Sequence, residues 1–248
     1  MKELKNKLEY LLKNSGEDKS EIEAIMNEES IAPFDTANRL MAYLLSNGKM
    51  SYSTYKSLSD EYIKRYQQEN KYISLFEMSP RTFGQTWGEQ HIKSLFPEIV
   101  MATRNNLAGV YPGFDGEFDL WYEGIRIEVK ACRANSANTE GRLADRAYSH
   151  EEAHLNNFKY HYQQLKPSCC DVFIWIGVCR DELLYWVLTS EELRKTGKLG
   201  PQHRNVMTDI AGAEVYEGQV FMTEDELRRF LVGEEDILAK VDEKGRNN

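Results

Sequence analysis

Four cysteines in 248 residues are too few and too scattered for a cysteine framework: Cys132, the adjacent Cys169 and Cys170, and Cys179 show neither paired zinc-ligand spacing nor a disulfide pattern. Reduced thiols in the cytoplasm are expected. No apolar run is long enough to cross a bilayer, and the opening MKELKNKLEYLLKNSGEDKSE is charged and amphipathic, without the apolar core of a signal peptide. No membrane role is expected. Internal repeats, low-complexity linkers, and helicase or ATP-binding motifs are missing too. Cationic side chains are in deficit, with 31 Lys and Arg against 40 Asp and Glu and a net charge of -9. Any contact with nucleic-acid phosphate must therefore come from local basic segments, not from overall charge. The remaining composition, 41% hydrophobic and 29% charged, is that of an ordinary globular chain. It is long enough for one large domain, or one domain with a helical appendage.

The most informative stretch runs from Phe118 to Ala131, FDLWYEGIRIEVKA. Phe118, Leu120 and Tyr122 alternate on one arm and Ile125, Ile127, Val129 and Ala131 on the other, the period-2 signature of two half-buried strands. Glu123-Gly124 is the natural two-residue turn, because glycine tolerates positive φ. With the turn there, Tyr122 faces Ile125, Leu120 faces Ile127, and Asp119 falls opposite Glu128, with Lys130 two residues along the same face. Two carboxylates so placed repel unless a cation lies between them. Hard divalent cations take oxygen ligands, and Mg²⁺ is commonly held by one or two carboxylates while keeping positions for water and substrate phosphate. A metal beside a lysine suits phosphodiester hydrolysis, supplying a Lewis acid for the phosphoryl oxygen and an ammonium for charge developing at phosphorus. Asp115 is a rival first carboxylate, but it lies outside the alternation and close to the Pro112-Gly113 turn signal.

Asp119, eight intervening residues, Glu128-Val129-Lys130 and then the small Ala131 resemble the active-site motif of the PD-(D/E)xK nuclease superfamily, best known from type II restriction endonucleases. The resemblance covers somewhat under half the chain, from about Ser79 to Glu192. It departs in one respect, since Phe118 and not proline precedes Asp119. It implies an α/β fold with a restriction-endonuclease-like core, a mixed central β-sheet flanked by helices in the order helix, three strands, helix, strand. It implies Mg²⁺ on Asp119, Glu128 and the Val129 carbonyl, with Lys130 orienting the attacking water or stabilising charge on phosphorus. Some members add an acid from the first helix, for which Glu89 is the candidate here. The resemblance further implies double-stranded DNA as substrate, 5′-phosphate and 3′-hydroxyl products, a homodimer, and a cognate DNA methyltransferase in the same cell.

The flanking segments suit that order. Ser79-Pro80 reads as a helix cap followed by proline at the first helical position, opening a helix that ends before Pro97. Asp171 to Cys179 is a continuous apolar run of central-strand type, with Leu183 to Leu188 as its neighbour. Between the hairpin and these strands, Leu155, Phe158, Tyr162 and Leu165 are expected as an apolar stripe on a helix.

Residues 150 to 154 spell HEEAH, the zinc-protease pattern of two histidines one helical turn apart. Against that reading, Glu152 puts a charge in a slot usually uncharged, and a third ligand has no clear candidate; Glu182 and Glu191 are better explained otherwise. Ser149 with Glu152 forms a simpler signal, a capping box.

Two basic segments are expected as loops near the site. The first, residues 131–148, carries Arg133, Asn135, Asn138, Arg142 and Arg146; the second, 194–208, carries Lys198, His203 and Arg204. Arg and Asn there are candidates for contacts to phosphate, guanine and adenine. Residues 1–78 form an expected helical subdomain for DNA grip or dimerisation, with a helix from Asp35 to Gly48 and another from Ser51 carrying Tyr55, Leu58, Tyr62 and Tyr66. The nuclease core, recognition loops and C-terminal elements are expected over 79–248. There Thr223 and Glu226 form a capping box, and Glu234 to Asn248 is polar enough to fray. The chain is thus expected to be a type II restriction endonuclease. A structure-specific or nicking repair nuclease of the same superfamily, a zinc protease and an inactive DNA-binding module are the alternatives.

Overall fold

The chain divides at Asn70/Lys71 into two units, N-terminal to the expected boundary at Met78/Ser79. The computed structural model describes Tyr10, residues 36–137, 140–208 and 214–247, with the side chains of residues 36–39, of Gln85 and of residues 203–217 left aside. The expected contacts Asn138, His203 and Arg204, the capping Asp35 and the opening amphipathic segment therefore lie outside the described residues or side chains.

In the first unit, helices α1 (Thr36–Ser46) and α2 (Tyr52–Glu69) bury Met41, Leu44, Met50, Leu58 and Tyr62 together. Gly48, at φ 65°, ends the first, and Ser51 caps the second by accepting from the Thr54 amide. Of the expected stripe, Leu58 and Tyr62 are buried and Tyr66 faces solvent.

The second unit is mixed α/β, with a central mixed sheet flanked by helices. Six strands, β1 (Val100–Met101), β2 (Leu120–Tyr122), β3 (Ile125–Arg133), β5 (Val172–Val178), β6 (Leu183–Thr189) and β9 (Leu231–Val232), lie in the order β1-β2-β3-β5-β6-β9. Only β3 and β5 run parallel; the other pairs are antiparallel. A second, antiparallel sheet of β4 (Lys159–Leu165), β7 (Gly200–Thr208) and β8 (Glu214–Thr223) has the order β4-β8-β7. One core cluster gathers Ile92, Ile127, Val129, Ile174, Ile176 and Ile237, joining the large sheet to helices. The other gathers Tyr160, Tyr162, Trp175, Trp186, Val220 and Met222, joining it to the small sheet. Every residue of β5 and β6 is buried, as continuous apolar strands covered on both faces require.

Three expectations are corrected. Phe158, Tyr162 and Leu165 do not continue a helix: α3 (His150–Leu155) stops at Asn156-Asn157, with Asn157 at φ 48°, and β4 follows. Tyr160 and Tyr162 alternate into the core, Leu165 joins them past a bulge, and Leu155 is 70% exposed. Gly200–Thr208, expected as loop, is strand β7. The C-terminal segment, expected to fray, contains helix α4 (Ile237–Arg246), anchored by buried Ile237 and Val241, by Lys244 on Glu192 and by Arg246 on Glu123.

Candidate active site

The β2–β3 hairpin has the expected register, Leu120 facing Ile127 and Tyr122 facing Ile125. Glu123 and Gly124 have φ of 44° and 98°, both left-handed, so the turn is of the primed type that matches strand twist. Phe118 departs from the alternation: it packs in the cluster against the small sheet, while Leu120 packs on the helix side. The regular strand begins only at Leu120, and Asp119 at its mouth uses its side chain to extend the pairing. Its amide donates to the Ile127 carbonyl at 3.0 Å, and its Oδ2 accepts from the Val129 amide at 2.8 Å.

Glu128 and Lys130 stand on the face of β3 opposite Ile127 and Val129. Glu128 has 0% exposure, and its compensation comes from neighbouring ammonium groups. Lys130 Nζ lies 2.6 Å from its Oε1 and 4.0 Å from Asp119 Oδ2. Burial raises the Glu128 carboxyl above the usual range; Lys130 opposes the shift and Asp119 adds to it. Burial works against charge on Lys130 too, but Glu128 and Asp119 outweigh it and hold the ammonium above its ordinary range. A second ammonium, Lys166 Nζ, is 3.8 Å from Glu128 Oε2. Sequence reasoning missed Lys166 because it follows β4, which was expected as helix.

The helical segments Pro80–Thr82 and Gly88–Leu95, joined by a π-helical turn at Phe83–Trp87, form one run capped by Ser79. Gly88 lets it approach β3: a Cβ there would lie 3.3 Å from Val129 Cγ1 and 3.7 Å from Ala131 Cβ. Glu89, next along, feels the charges of Asp119, Lys130, Glu128 and Lys166, and burial first, then Asp119, lifts its carboxyl to about 7. Such wide turns recur beside functional sites. Asp115 is exposed and paired with Arg104, away from this group. Among the described residues, no three His, Cys, Asp or Glu side chains are grouped as a metal cage.

Lys130 also lines a cleft of about 910 Å³, whose walls include Arg81, Arg133, Asn135, Lys159 and His161. Among the described residues no Asp or Glu lines it, in a chain of net charge -9. Of the expected contact residues, Arg133 and Asn135 reach this cleft. Arg133 is held there by the Leu75 and Met78 carbonyls and the Phe83 ring, and Asn135 by the Ser136 carbonyl. Arg146 is half-buried, Arg142 is paired with Asp145, and Lys198 with Glu226.

The HEEAH segment opens α3 with the expected capping box from Ser149 and Glu152. His150 Nδ1 is 2.9 Å from Glu182 Oε2, its Nε2 is 3.0 Å from Glu224 Oε2, and Glu152 pairs with Arg180. Burial disfavours charge on His150, but Glu224 and Glu182 prevail and raise its pKa. Both ring nitrogens of His150 and the carboxylate of Glu152 are thus engaged with other side chains of the protein.

No family model, curated protein or solved structure matches this chain.

Proposed function

We propose that the chain is a Mg²⁺-dependent endonuclease of the PD-(D/E)xK superfamily, hydrolysing double-stranded DNA site-specifically in the manner of a type II restriction enzyme. Glu128 carries this reading. It is a fully buried carboxylate, 2.6 Å from the Lys130 ammonium, which also faces Asp119 and lines the basic cleft. Burying such a group costs several kcal/mol unless charge compensates it, and an apolar residue would serve packing better. The succession of capped helix, β1, β2, β3 and α3, followed after the small-sheet strand β4 by β5, with β3 parallel to β5, supports a restriction-endonuclease-like core.

The donor set fits Mg²⁺, which needs only one or two carboxylates from protein. Asp119, Glu128 and, on the family resemblance, the Val129 carbonyl would hold it, with Glu89 as a further acid nearby. Mg²⁺ there supplies Lewis acidity at the scissile phosphate. Lys130, kept charged by its two neighbours, orients the attacking water and neutralises charge developing at phosphorus. The cleft's cationic walls, Arg81, Arg133 and Lys159, bind the phosphate backbone. This reading brings with it 5′-phosphate ends, a homodimer that cuts both strands, and a cognate methyltransferase protecting the same sequence without direct contact.

The test is incubation of the full chain with unmethylated phage DNA, in Mg²⁺ and in EDTA, followed by sequencing of fragment ends. Discrete Mg²⁺-dependent fragments sharing one short sequence are expected. No cleavage, or cleavage that persists in Lys130→Ala, overturns the reading; nicks confined to branched or mismatched duplexes indicate the repair nuclease instead.

A further inference from the structure

We propose that base sequence is read by the exposed face of the small sheet, through His161 and Gln163 on β4 and Gln219 and Phe221 on β8. The ligand class, double-stranded DNA, rests on the nuclease reading above; the placement of the reading surface rests on the sheet itself.

Alternation sorts the two strands cleanly. Tyr160, Tyr162, Val220 and Met222 point into the core, which turns Lys159, His161 and Gln163, with Gln219 and Phe221, to the other face. His161 pairs with Phe221 across the strands, and their rings stack at 3.9 Å with planes 14° apart. His161 Nε2 is 3.0 Å from Gln219 Oε1 and 3.1 Å from Gln163 Nε2. The result is a preorganised surface of amides, an imidazole and a phenyl ring 49% exposed to water. A strand face that merely meets solvent is better served by charge, particularly in an acidic chain.

Uncharged donors and acceptors beside an apolar ring match base edges better than phosphates. Glutamine pairs with the N6 and N7 edge of adenine, and phenylalanine makes apolar contact with the thymine methyl. Both preferences point to A·T pairs. Alternate residues on a strand are about 6.8 Å apart, which spans two base-pair steps at about 3.4 Å each. A β-ribbon also fits the major groove, about 12 Å wide. Continuity places the duplex: His161, Gln163, Lys159 and Lys130 all line the same cleft, so DNA held at Lys130 lies along β4. Lys159, at the start of that strand, is set for a phosphate.

The test uses the full-length unmutated protein with Ca²⁺ in place of Mg²⁺, which should bind without cutting, to select duplexes from a randomised pool. A short enriched motif containing A·T pairs is expected. Adding Gln163→Ala should relax preference at one position by about tenfold. Adding Phe221→Ala should abolish discrimination between thymine and deoxyuridine duplexes. Gln163→Glu, which keeps the size of the side chain, should move preference at that position from adenine toward cytosine. An unchanged motif in all three variants, or no enrichment by the parent, overturns the proposal. Cleavage by the unmutated protein is scored separately. Cutting at one sequence with an unchanged motif places the reading elsewhere and leaves the nuclease standing. Absence of cutting defeats the nuclease reading while the selection still decides the sheet.

Discussion

Lys130 Nζ lies 2.6 Å from Glu128 Oε1 and 4.0 Å from Asp119 Oδ2, so one ammonium serves two carboxylates. Removing it leaves Glu128 buried with only Lys166, 3.8 Å from Oε2, as compensation. Lys130→Met should cost about 3 kcal/mol, and the double variant Lys130→Met/Glu128→Leu should recover most of it. Urea unfolding of both proteins checks this; equal loss in the two would mean that the pair is not what balances the site.

A divalent cation bound by Asp119 and Glu128 must stabilise the fold through mass action. Mg²⁺ in excess should raise the melting temperature by roughly 2–8 °C, equivalent to about 1–3 kcal/mol. Asp119→Asn and Glu128→Gln should respond weakly or not at all. A rise that survives in both variants would place the metal elsewhere.

Glu89 gives stability a pH dependence of defined sign. Its folded carboxyl titrates near 7, against 4.5 ordinarily, so the unfolded chain releases that proton first as pH rises. Stability from this group is intact below about pH 4.5, declines between there and 7, and is flat above. Discounted for partial exposure, the loss is about 1–2 kcal/mol. Glu89→Gln should match the parent at pH 4.5 and exceed it at pH 8 in denaturant melts without metal. Parallel curves would refute the assignment.

Gly177 on β5 leaves room for both Trp186 and Tyr160, whose ring atoms would stand 2.7 Å from an added Cβ. Those rings join the large sheet to the small one. Gly177→Ala should therefore cost about 3 kcal/mol, with the exposed Lys56→Ala on the first unit as a neutral surface control. Calorimetry of the two variants is the measurement.

The hairpin was legible because its apolar alternation and its glycine turn agree, and together they fix a register that a one-residue slip would invert. The capping boxes at Ser149 and Thr223 were legible for the same reason, since side chain and spacing are both local. The small sheet was not. Tyr160 and Tyr162 alternate, but Phe158, Tyr162 and Leu165 also fall at helical spacing, and only the Asn156-Asn157 stop with the long-range pairing to β8 decides between them. Lys166 was hidden with it. Helix α4 was hidden because its charged residues outnumber the two that anchor it, Ile237 and Val241, and Lys244 and Arg246 find partners far away in sequence.

The helix leading to Glu89 is pinned at both ends, by the Ser79 cap at its entrance and by Lys93 Nζ, 2.6 Å from both the Pro97 and Ile99 carbonyls, at its exit. Between these pins the wide turn at Phe83–Trp87 takes up a surplus residue. A single-residue deletion there would relax the run to an ordinary spiral while both pins, and the side chains beyond the turn, keep their places. The turn is therefore slack in the chain's length and not in its aim, and Glu89 keeps its bearing on Asp119.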